Sequence, residues 1–320
     1  MEKYAKKIIS VEEKDVLVEK YTPKIIYEVK SDIYGCCIKL LTWDRRIKDA
    51  WEDNFYAMSS NIRSHGRVYV IWDNEKPENL VEYDPFSKTA FIYNMDYYGW
   101  IKSIALGVTG DILEDEHGIY SVHGACLDVD GRGLSIMGTS GMGKTTQTYG
   151  LLRFKHVRVI ADDWFFVRLF EDSALCFSSE KNFYIRADLA KIWKEYEKFM
   201  EYVQFDEKGR GILNLRQVVG KGRILPATTA QVTVILIRDK EKPFVVKQID
   251  PEEALEITVS HSFFNPHLLV NDERKMRIRR EFFKKFFELS TVYVVNTVTP
   301  PEVTNRNILK LVSGGLERNE

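Results

Sequence analysis

Short apolar runs and helically spaced apolar residues divide the first third of the chain into predicted elements. Runs rich in β-branched and aromatic residues predict strands at KIIYEVKSDIYGCCIKLL, RVYVIWD and TAFIYNM. The next segment, YYGWIKSIALGVTGDILE, has the apolar spacing of a helix. Residues 1–115 therefore predict a mixed α/β region, and no group of side chains in it suggests a reaction.

The middle third predicts a strand, a glycine-rich loop, a helix and a second strand that carries acids. IYSVHGACLDV (119–129) and LSIMG (134–138) read as strands joined by a tight turn, DGRG. KTTQTYGLLRF (144–154) predicts a helix, and VRVIADDWFFVRLF (157–170) predicts a strand interrupted by two aspartates. This order is typical of a phosphate-binding α/β core.

The last third alternates between strands and helices. AQVTVILIRD and TVYVVNT predict strands, whereas DERKMRIRREFFKKFFELS has a helical apolar face opposite a basic one. DPEEALEITVSHSFF begins as a helix, with Asp250 as the cap and Pro251 in the first turn. The patterns together predict a mixed α/β (α+β) protein with a second domain over 116–312 and a flexible tail over 313–320.

Charge and composition narrow the classes of partner. The 320 residues include 46 basic and 47 acidic ones, for a net charge of −1, and nucleic-acid binders usually carry a basic excess. No apolar run approaches the roughly 20 residues of a membrane helix, and the N-terminus lacks a signal peptide's apolar core. The four cysteines lack zinc-site spacing, so we expect them to be reduced and mostly buried. A cytoplasmic protein without a nucleic-acid or membrane partner is expected.

The run MGTSGMGKTT matches G-x-x-x-x-G-K-[ST] at Gly138, Gly143, Lys144 and Thr145. Glycines let successive backbone N–H groups turn inward around an anion, and the following helix adds the positive end of its dipole. Lys144 would contact the outer phosphates, and the Thr145 hydroxyl would bind Mg²⁺. The predicted nucleotide-binding residues are Gly138, Thr139, Ser140, Gly141, Met142, Gly143, Lys144, Thr145 and Thr146.

Asp162 and Asp163 follow an apolar strand, which is the usual origin of the second metal contact in P-loop proteins. One carboxylate would hold Mg²⁺ while the other accepts a proton from an attacking hydroxyl. The competing interpretation makes the second aspartate a solvated strand end or a helix cap. His123 precedes the loop by two strands, and its spacing alone fits a structural histidine as well as a catalytic one.

These motifs together resemble the HPr kinase/phosphorylase family, whose P-loop core is related to phosphoenolpyruvate carboxykinase. The shared pattern is HGACLDVDGRGLSIMGTSGMGKTT followed by VRVIADDWFFV, within about residues 119–170. The resemblance implies that Lys144 contacts the β- and γ-phosphates of ATP, that Asp162 is the general base, and that Asp163 helps to bind Mg²⁺. It also implies that His123 lies by the catalytic aspartate and that the protein forms a homo-oligomer.

The chain departs from the family pattern after the acid pair. In FYIRADL (183–189), Arg186 matches the arginine of the family segment E-I-R-G, but Tyr184 stands at the metal-binding glutamate. Glu180 or Asp188 would replace that glutamate, and the sequence does not choose between them. The family's later glycine-rich loop has only a weak counterpart in VVGKGRILPATT, where Lys221 and Arg223 either face a phosphate or belong to a solvated loop.

Three functions follow from this reading. The first, favoured because a clear protein-substrate loop is missing, is an ATP- and Mg²⁺-dependent kinase acting on a small hydroxyl metabolite such as free serine or threonine. The second is a protein-serine kinase/phosphorylase of the HPr kinase type. The third is a non-enzymatic nucleotide sensor that binds a partner through the basic stretch 274–285.

Overall fold

The chain folds into two compact units in the computed structural model, which describes residues 4–201, 203, 205 and 209–314. The first unit comprises the chain up to Tyr120 together with Ser179–Lys181 and Pro266–Met276. The second comprises Ser121–Ser178, Asn182–Asn265 and the chain from Arg277 onward. The chain therefore returns to the first unit twice, in two short segments that no change in composition marks.

The described residues before Gly118 form three α-helices and seven β-strands. They are β1 (Ala5–Ile8), α1 (Val11–Tyr21), β2 (Tyr27–Ile33), β3 (Cys36–Thr42), α2 (Arg45–Asn54), β4 (Tyr56–Ala57), β5 (Gly66–Ile71), β6 (Leu80–Asp84), β7 (Thr89–Tyr93) and α3 (Tyr98–His117). The seven strands form one mixed sheet in the order β1-β6-β7-β5-β3-β2-β4. The predicted boundary at residue 115 falls inside α3, which ends two residues later at His117 and is capped by Gly118 in the left-handed conformation.

Local sequence explains the first hairpin and the burial of the central strands. Tyr34 and Gly35 have φ of 51° and 80°, which is the conformation of a two-residue hairpin turn between β2 and β3. Strand β7 buries all five of its residues, and β5 buries five of six. Such continuous apolar strands are typical of a sheet covered on both faces.

The remaining elements follow from residue 119. They are β8 (Ile119–His123), β9 (Ala125–Val129), β10 (Arg132–Met137), α4 (Lys144–Leu151), β11 (Val157–Ala161), β12 (Trp164–Leu169), β13 (Ala174–Ser178), β14 (Phe183–Arg186), α5 (Leu189–Ile192), α6 (Glu197–Met200), β15 (Arg210–Leu213), α7 (Leu215–Val219), β16 (Ala227–Ile237), β17 (Val246–Ile249), α8 (Pro251–Ser260), α9 (Glu273–Glu288), β18 (Thr291–Asn296) and α10 (Pro301–Ser313).

A nine-stranded sheet organises this part of the chain. Its order is β11-β9-β10-β16-β13-β12-β8, with β18 paired to β16 and β17 paired to β18. The long strand β16 runs parallel to both β10 and β18. Strand β9 is antiparallel to both β10 and β11, so β10 and β11 point in the same direction. The carboxyl ends of β10, β11 and β16 therefore lie at the same edge of the sheet.

The mixed α/β fold class is confirmed, with two corrections to the predicted elements. The strand predicted over 119–129 is two strands, because Gly124 interrupts it where a Cβ atom would lie 2.6 Å from the Ile136 carbonyl oxygen. The helix predicted over 144–154 ends at Leu151. All four cysteines are free and buried, as expected. The tail predicted to be flexible lies outside the described residues from position 315.

The length and hydropathy of each helix decide whether it could span a membrane. Among the described residues, every helix is too short or too polar to cross a lipid bilayer.

Candidate nucleotide-binding and catalytic site

The glycine-rich loop joins the end of β10 to the start of α4, and its backbone requires glycine at specific positions. Gly138, Gly141 and Gly143 have φ of 147°, 88° and 99°, values that side-chain-bearing residues rarely adopt. At Gly138 a Cβ atom would also lie 2.8 Å from the Leu236 carbonyl oxygen. Alternating left-handed glycines are typical of a backbone nest that binds anions.

The start of α4 supplies positive charge to this loop. Gly143 caps the helix and has no side chain that could accept hydrogen bonds from the first-turn amides. The Lys144 ammonium donates a 2.7 Å hydrogen bond to the Gly138 carbonyl oxygen, so its side chain folds back across the loop. The exposed amides and the lysine together form a site that suits phosphate.

Strand register brings the acid pair to the level of the loop. Ala161 of β11 and Ser135 of β10 both pair with Cys126 of β9, so the residues that follow them lie at the same edge. Neighbouring strands are about 4.8 Å apart, which puts the end of β11 roughly 10 Å from the end of β10 across the sheet. Asp162 therefore emerges beside the glycine-rich loop, at a distance that a transferring phosphoryl group and its acceptor can span.

The two aspartates have different surroundings. Asp162 is buried, and its carboxylate accepts a 2.9 Å hydrogen bond from the backbone N–H of Tyr184. The Asp163 side chain is 34% exposed, and its Oδ1 lies 3.3 Å from His123 Nε2. Tyr184, which stands where the family glutamate is expected, thus contacts the acid pair through its main chain.

His123 bridges two hydrogen-bond acceptors. Its Nδ1 lies 2.7 Å from the Phe264 carbonyl oxygen, and its Nε2 faces the Asp163 carboxylate. The resemblance places His123 by the catalytic aspartate, and the contact that the structure shows is to Asp163. Ser262, Phe263 and Phe264 all have left-handed φ values near 50–56°, so the carbonyl that holds His123 belongs to a strained turn.

The electrostatics of α4 reflect the nearby carboxylate. Burial raises the pKa of the Tyr149 hydroxyl well above its usual value, and the negative charge of Asp162 raises this pKa further. The hydroxyl therefore stays neutral and contributes no charge to the site.

The two acids that the sequence offered as replacements for the family glutamate have other contacts. The Glu180 carboxylate lies in the first unit, where it accepts hydrogen bonds from Lys102 Nζ at 2.9 Å and from Asn54 Nδ2 at 3.1 Å. Asp188 forms an exposed ion pair with Arg186, with Nε and Oδ1 3.0 Å apart. Arg186 thus points to a carboxylate two residues away, on the surface.

The two basic residues of the segment 218–229 that were predicted to face a phosphate have different surroundings. The Arg223 guanidinium donates to the carbonyl oxygens of Leu152, Phe154 and Val157, at the end of α4 opposite the glycine-rich loop. These contacts stabilise the turn between α4 and β11, which removes Arg223 from the predicted phosphate site. Lys221 is exposed.

An arginine near the loop and the threonine that it contacts had no sequence signal. Arg238 follows β16, and its Nη2 lies 3.7 Å from the position of a Cβ atom built on Gly143. Its Nε donates a 3.1 Å hydrogen bond to Thr297 Oγ1, just after β18. Arg238 reaches the loop because β16 lies beside β10, and Thr297 meets Arg238 because β18 lies beside β16. The sequence does not reveal this register.

The basic stretch 274–285 is largely committed to ion pairs. Lys275 is buried, with its Nζ within 2.8 Å of carboxylate oxygens of Asp111, Glu114 and Asp115. Further along, Arg280 pairs with Glu256 at 2.9 Å. The predicted partner surface of a nucleotide sensor therefore has much of its charge neutralised within the chain.

The loop, the parallel strand ends and the acid pair define a P-loop core, and comparison with known proteins shows what this core is similar to. Residues 118–262 match the HPr Serine kinase C-terminal domain. The chain is 29% identical over 195 residues to the HPr kinase/phosphorylase of Lactococcus lactis subsp. lactis (strain IL1403), covering 60% of this chain and 56% of that protein. The Hpr(Ser) kinase/phosphatase structure from Coxiella burnetii aligns with a TM-score of 0.29 and 13% identity, over 40% of this chain and 76% of that one.

The resemblance inferred from the motifs is confirmed: residues 118–262 match the model of the HPr kinase C-terminal domain, and the matched curated relative is an HPr kinase/phosphorylase. The chain spans just over half the length of the curated relative that it matches.

Proposed function

We propose that this protein is a Mg²⁺-dependent kinase that transfers the γ-phosphoryl group of ATP to a serine hydroxyl on a protein. The observation that carries the proposal is the edge of the sheet shared by β10 and β11, where the glycine-rich loop and Asp162 emerge on either side of β9. A phosphate-binding loop alone would hold a nucleotide. A buried carboxylate about two strands away adds a proton acceptor at the position of a second substrate.

The transfer step follows from these positions. The Asp162 carboxylate takes the proton of the acceptor hydroxyl while the acceptor oxygen bonds to the γ-phosphorus. The bond between that phosphorus and the β–γ bridging oxygen breaks, and ADP leaves with the electron pair. Lys144 exchanges its contact with the Gly138 carbonyl for the outer phosphates, where its charge stabilises the transferring group.

The oxygen donors at this edge suit a hard divalent cation. The Thr145 hydroxyl and the partly exposed Asp163 carboxylate would hold Mg²⁺, which neutralises phosphate charge when bound. His123 positions Asp163 through the 3.3 Å contact between its Nε2 and the carboxylate, and its own ring is fixed by the Phe264 carbonyl oxygen. We assign Asp162 as the base and Asp163 as the metal ligand.

The choice of acceptor rests on the relatives. The Lactococcus lactis relative is an HPr kinase/phosphorylase, which supports a carrier-protein serine as the acceptor. The sequence reading favoured a small metabolite such as free serine or threonine, and the comparisons give that acceptor no support. Both acceptors use the same transfer step, so an experiment must separate them.

The test supplies γ-labelled ATP and Mg²⁺ to the purified full-length protein with either free hydroxy amino acids or a purified HPr-type carrier protein. Label on the carrier supports the proposal, and label only on low-mass compounds overturns its acceptor. Nucleotide binding without acceptor-dependent turnover would overturn the kinase assignment and favour the sensor.

Matched variants separate the two acids. Asp162→Asn should lower turnover by about 10²–10⁴-fold while nucleotide binding persists. Asp163→Asn should raise the Mg²⁺ concentration needed for half-maximal turnover. Asp172→Asn, an exposed aspartate of the same unit, is the control and should change neither quantity. A shifted Mg²⁺ requirement in Asp162→Asn alone would reverse the two roles.

A further inference from the structure

Arg238 lies where a second cation is expected in a phosphoryl-transfer site. Strands β10 and β16 are parallel, with Met137 opposite Ile235, so the residue after β16 emerges beside the glycine-rich loop. Arg238 Nη2 lies 3.7 Å from the position that a Cβ atom would take on Gly143, the residue before Lys144. Two neighbouring strands therefore deliver one cation each to the same loop.

The Arg238 guanidinium is held at one side only. Its Nε donates to Thr297 Oγ1, and Thr297 is fixed in turn by donating its N–H and its hydroxyl to the Ile237 carbonyl oxygen, at 2.8 and 3.1 Å. Within the described residues, no carboxylate lies within 4.0 Å of this guanidinium, and its two outer nitrogens make no hydrogen bond. The Arg238 guanidinium is thus oriented by one hydrogen bond, but its charge is not neutralised.

Arg223 shows how a structural arginine of the same unit differs. Its guanidinium donates hydrogen bonds to three main-chain carbonyl oxygens, and these bonds stabilise the turn between α4 and β11. Arg238 is exposed and keeps four N–H groups available beside an anion-binding loop. Guanidinium groups with free N–H pairs bind phosphate oxygens in bidentate fashion.

We propose that Arg238 binds the outer phosphates of the nucleotide and stabilises their charge during transfer. The inference rests on the proposed kinase function and adds a catalytic residue to it. As the bond from the γ-phosphorus to the bridging oxygen breaks, negative charge moves onto the β-phosphate, which departs with ADP. Arg238 supplies a positive charge to these oxygens from β16 while Lys144 supplies one from the β10 side.

The test compares Arg238→Gln and Arg238→Lys with Lys240→Gln in the full-length protein. Lys240 is exposed two residues further along, so its variant removes the same charge from the same segment. Calorimetry measures the affinity for a non-hydrolysable ATP analogue and for AMP, and labelled ATP measures turnover. Thr297→Val serves as the positioning variant, because it removes the acceptor of the Arg238 Nε hydrogen bond and keeps the guanidinium.

We expect Arg238→Gln to lower turnover by roughly 100-fold, as for the loss of one preorganised charged donor. Affinity for the ATP analogue should fall about tenfold and affinity for AMP should not change. Arg238→Lys and Thr297→Val should retain intermediate turnover, and Lys240→Gln should match the wild type. Turnover and ATP-analogue affinity within twofold of wild type in Arg238→Gln would overturn the inference, as would an equal loss in Lys240→Gln.

Failure of the kinase proposal is distinguishable from failure of this inference. If the wild type binds the ATP analogue and transfers no phosphoryl group, the kinase proposal fails and Arg238 has no catalytic role. The comparison of analogue and AMP affinities then still decides whether Arg238 binds the outer phosphates. If the wild type binds no nucleotide, both are overturned.

Discussion

Replacing Lys102 by methionine should destabilise the first unit strongly, because it would leave a buried carboxylate without its cation. The Lys102 ammonium lies 2.9 Å from Glu180 Oε2, and the two side chains are 2% and 5% exposed. Removing one member of a buried ion pair costs about 3–5 kcal/mol. The hydrogen bond that Asn54 donates to Glu180 remains, and it compensates for only part of the lost charge.

A double-mutant cycle measures this coupling by urea unfolding. Lys102→Met and Glu180→Gln should each lower the free energy of unfolding by about 3–5 kcal/mol, whereas the double variant, which buries no charge, should lie within about 1–2 kcal/mol of the wild type. The exposed pair Lys247–Glu253 is the control, and Lys247→Met should cost at most about 0.5 kcal/mol. Losses that simply add in the double variant would show that the pair is not coupled in solution.

The same variant tests the position of Glu180. If this residue replaced the family's metal-binding glutamate, Glu180→Gln would raise the Mg²⁺ requirement of turnover. Because its carboxylate is held by Lys102 and Asn54 in the first unit, we expect that requirement to be unchanged in the variant once it is folded. A raised requirement would refute the assignment of Glu180 to the buried pair.

Three further predictions test other parts of the chain. Gly138→Ala should lower ATP affinity at least about 100-fold by calorimetry, since both φ and the neighbouring carbonyl exclude a side chain, whereas Gly222→Ala, at an open position with ordinary φ, should not. Hydrogen bonds from Tyr21 and Lys20 hold the pKa of Asp73 well below its usual range, so the stabilisation by the ionised carboxylate is present above about pH 4 and lost as pH falls. Between about pH 5 and 2, Asp73→Asn should therefore lose less unfolding free energy than the wild type. An equal loss in the two proteins would contradict the assignment. Ser262→Gly should raise the free energy of unfolding by about 0.5–1 kcal/mol, because glycine adopts the left-handed conformation at this position without strain, and an unchanged value would argue against strain there.

The parts of the site that the sequence predicted are those in which neighbours in sequence are neighbours in space. The glycine-rich loop is contiguous, so its turn, its lysine and the following helix could be inferred from local patterns alone. The Asp130–Gly131 turn, with φ of 52° and 84°, likewise follows from a short sequence. Asp162 was found because the strand before it is apolar and ends at the acid.

The parts that the sequence missed depend on pairings between distant strands and on the division into two units. Arg238 reaches the loop through the register of β16 against β10, which no local periodicity encodes. Glu180 lies between two strands of the second unit in sequence but is buried with Lys102 of the first. His123 contacts Phe264, which is more than a hundred residues later in the sequence. Phe264 belongs to a left-handed turn that contains no glycine, so the sequence did not indicate the turn. In each case the missing information was tertiary.

The pairing of β10 with β16 also has a consequence for synthesis on the ribosome. Gly133 of β10 pairs with Ala230, roughly 100 residues later, and at about 5–20 residues per second this partner follows after about 5–20 s. During that interval Leu134 and Ile136, fully buried in the finished sheet, have β9 on one side and an open strand edge on the other. The nascent chain therefore carries an apolar, unpaired strand edge at its phosphate-binding loop during this interval, and such an edge is prone to aggregation unless it is covered.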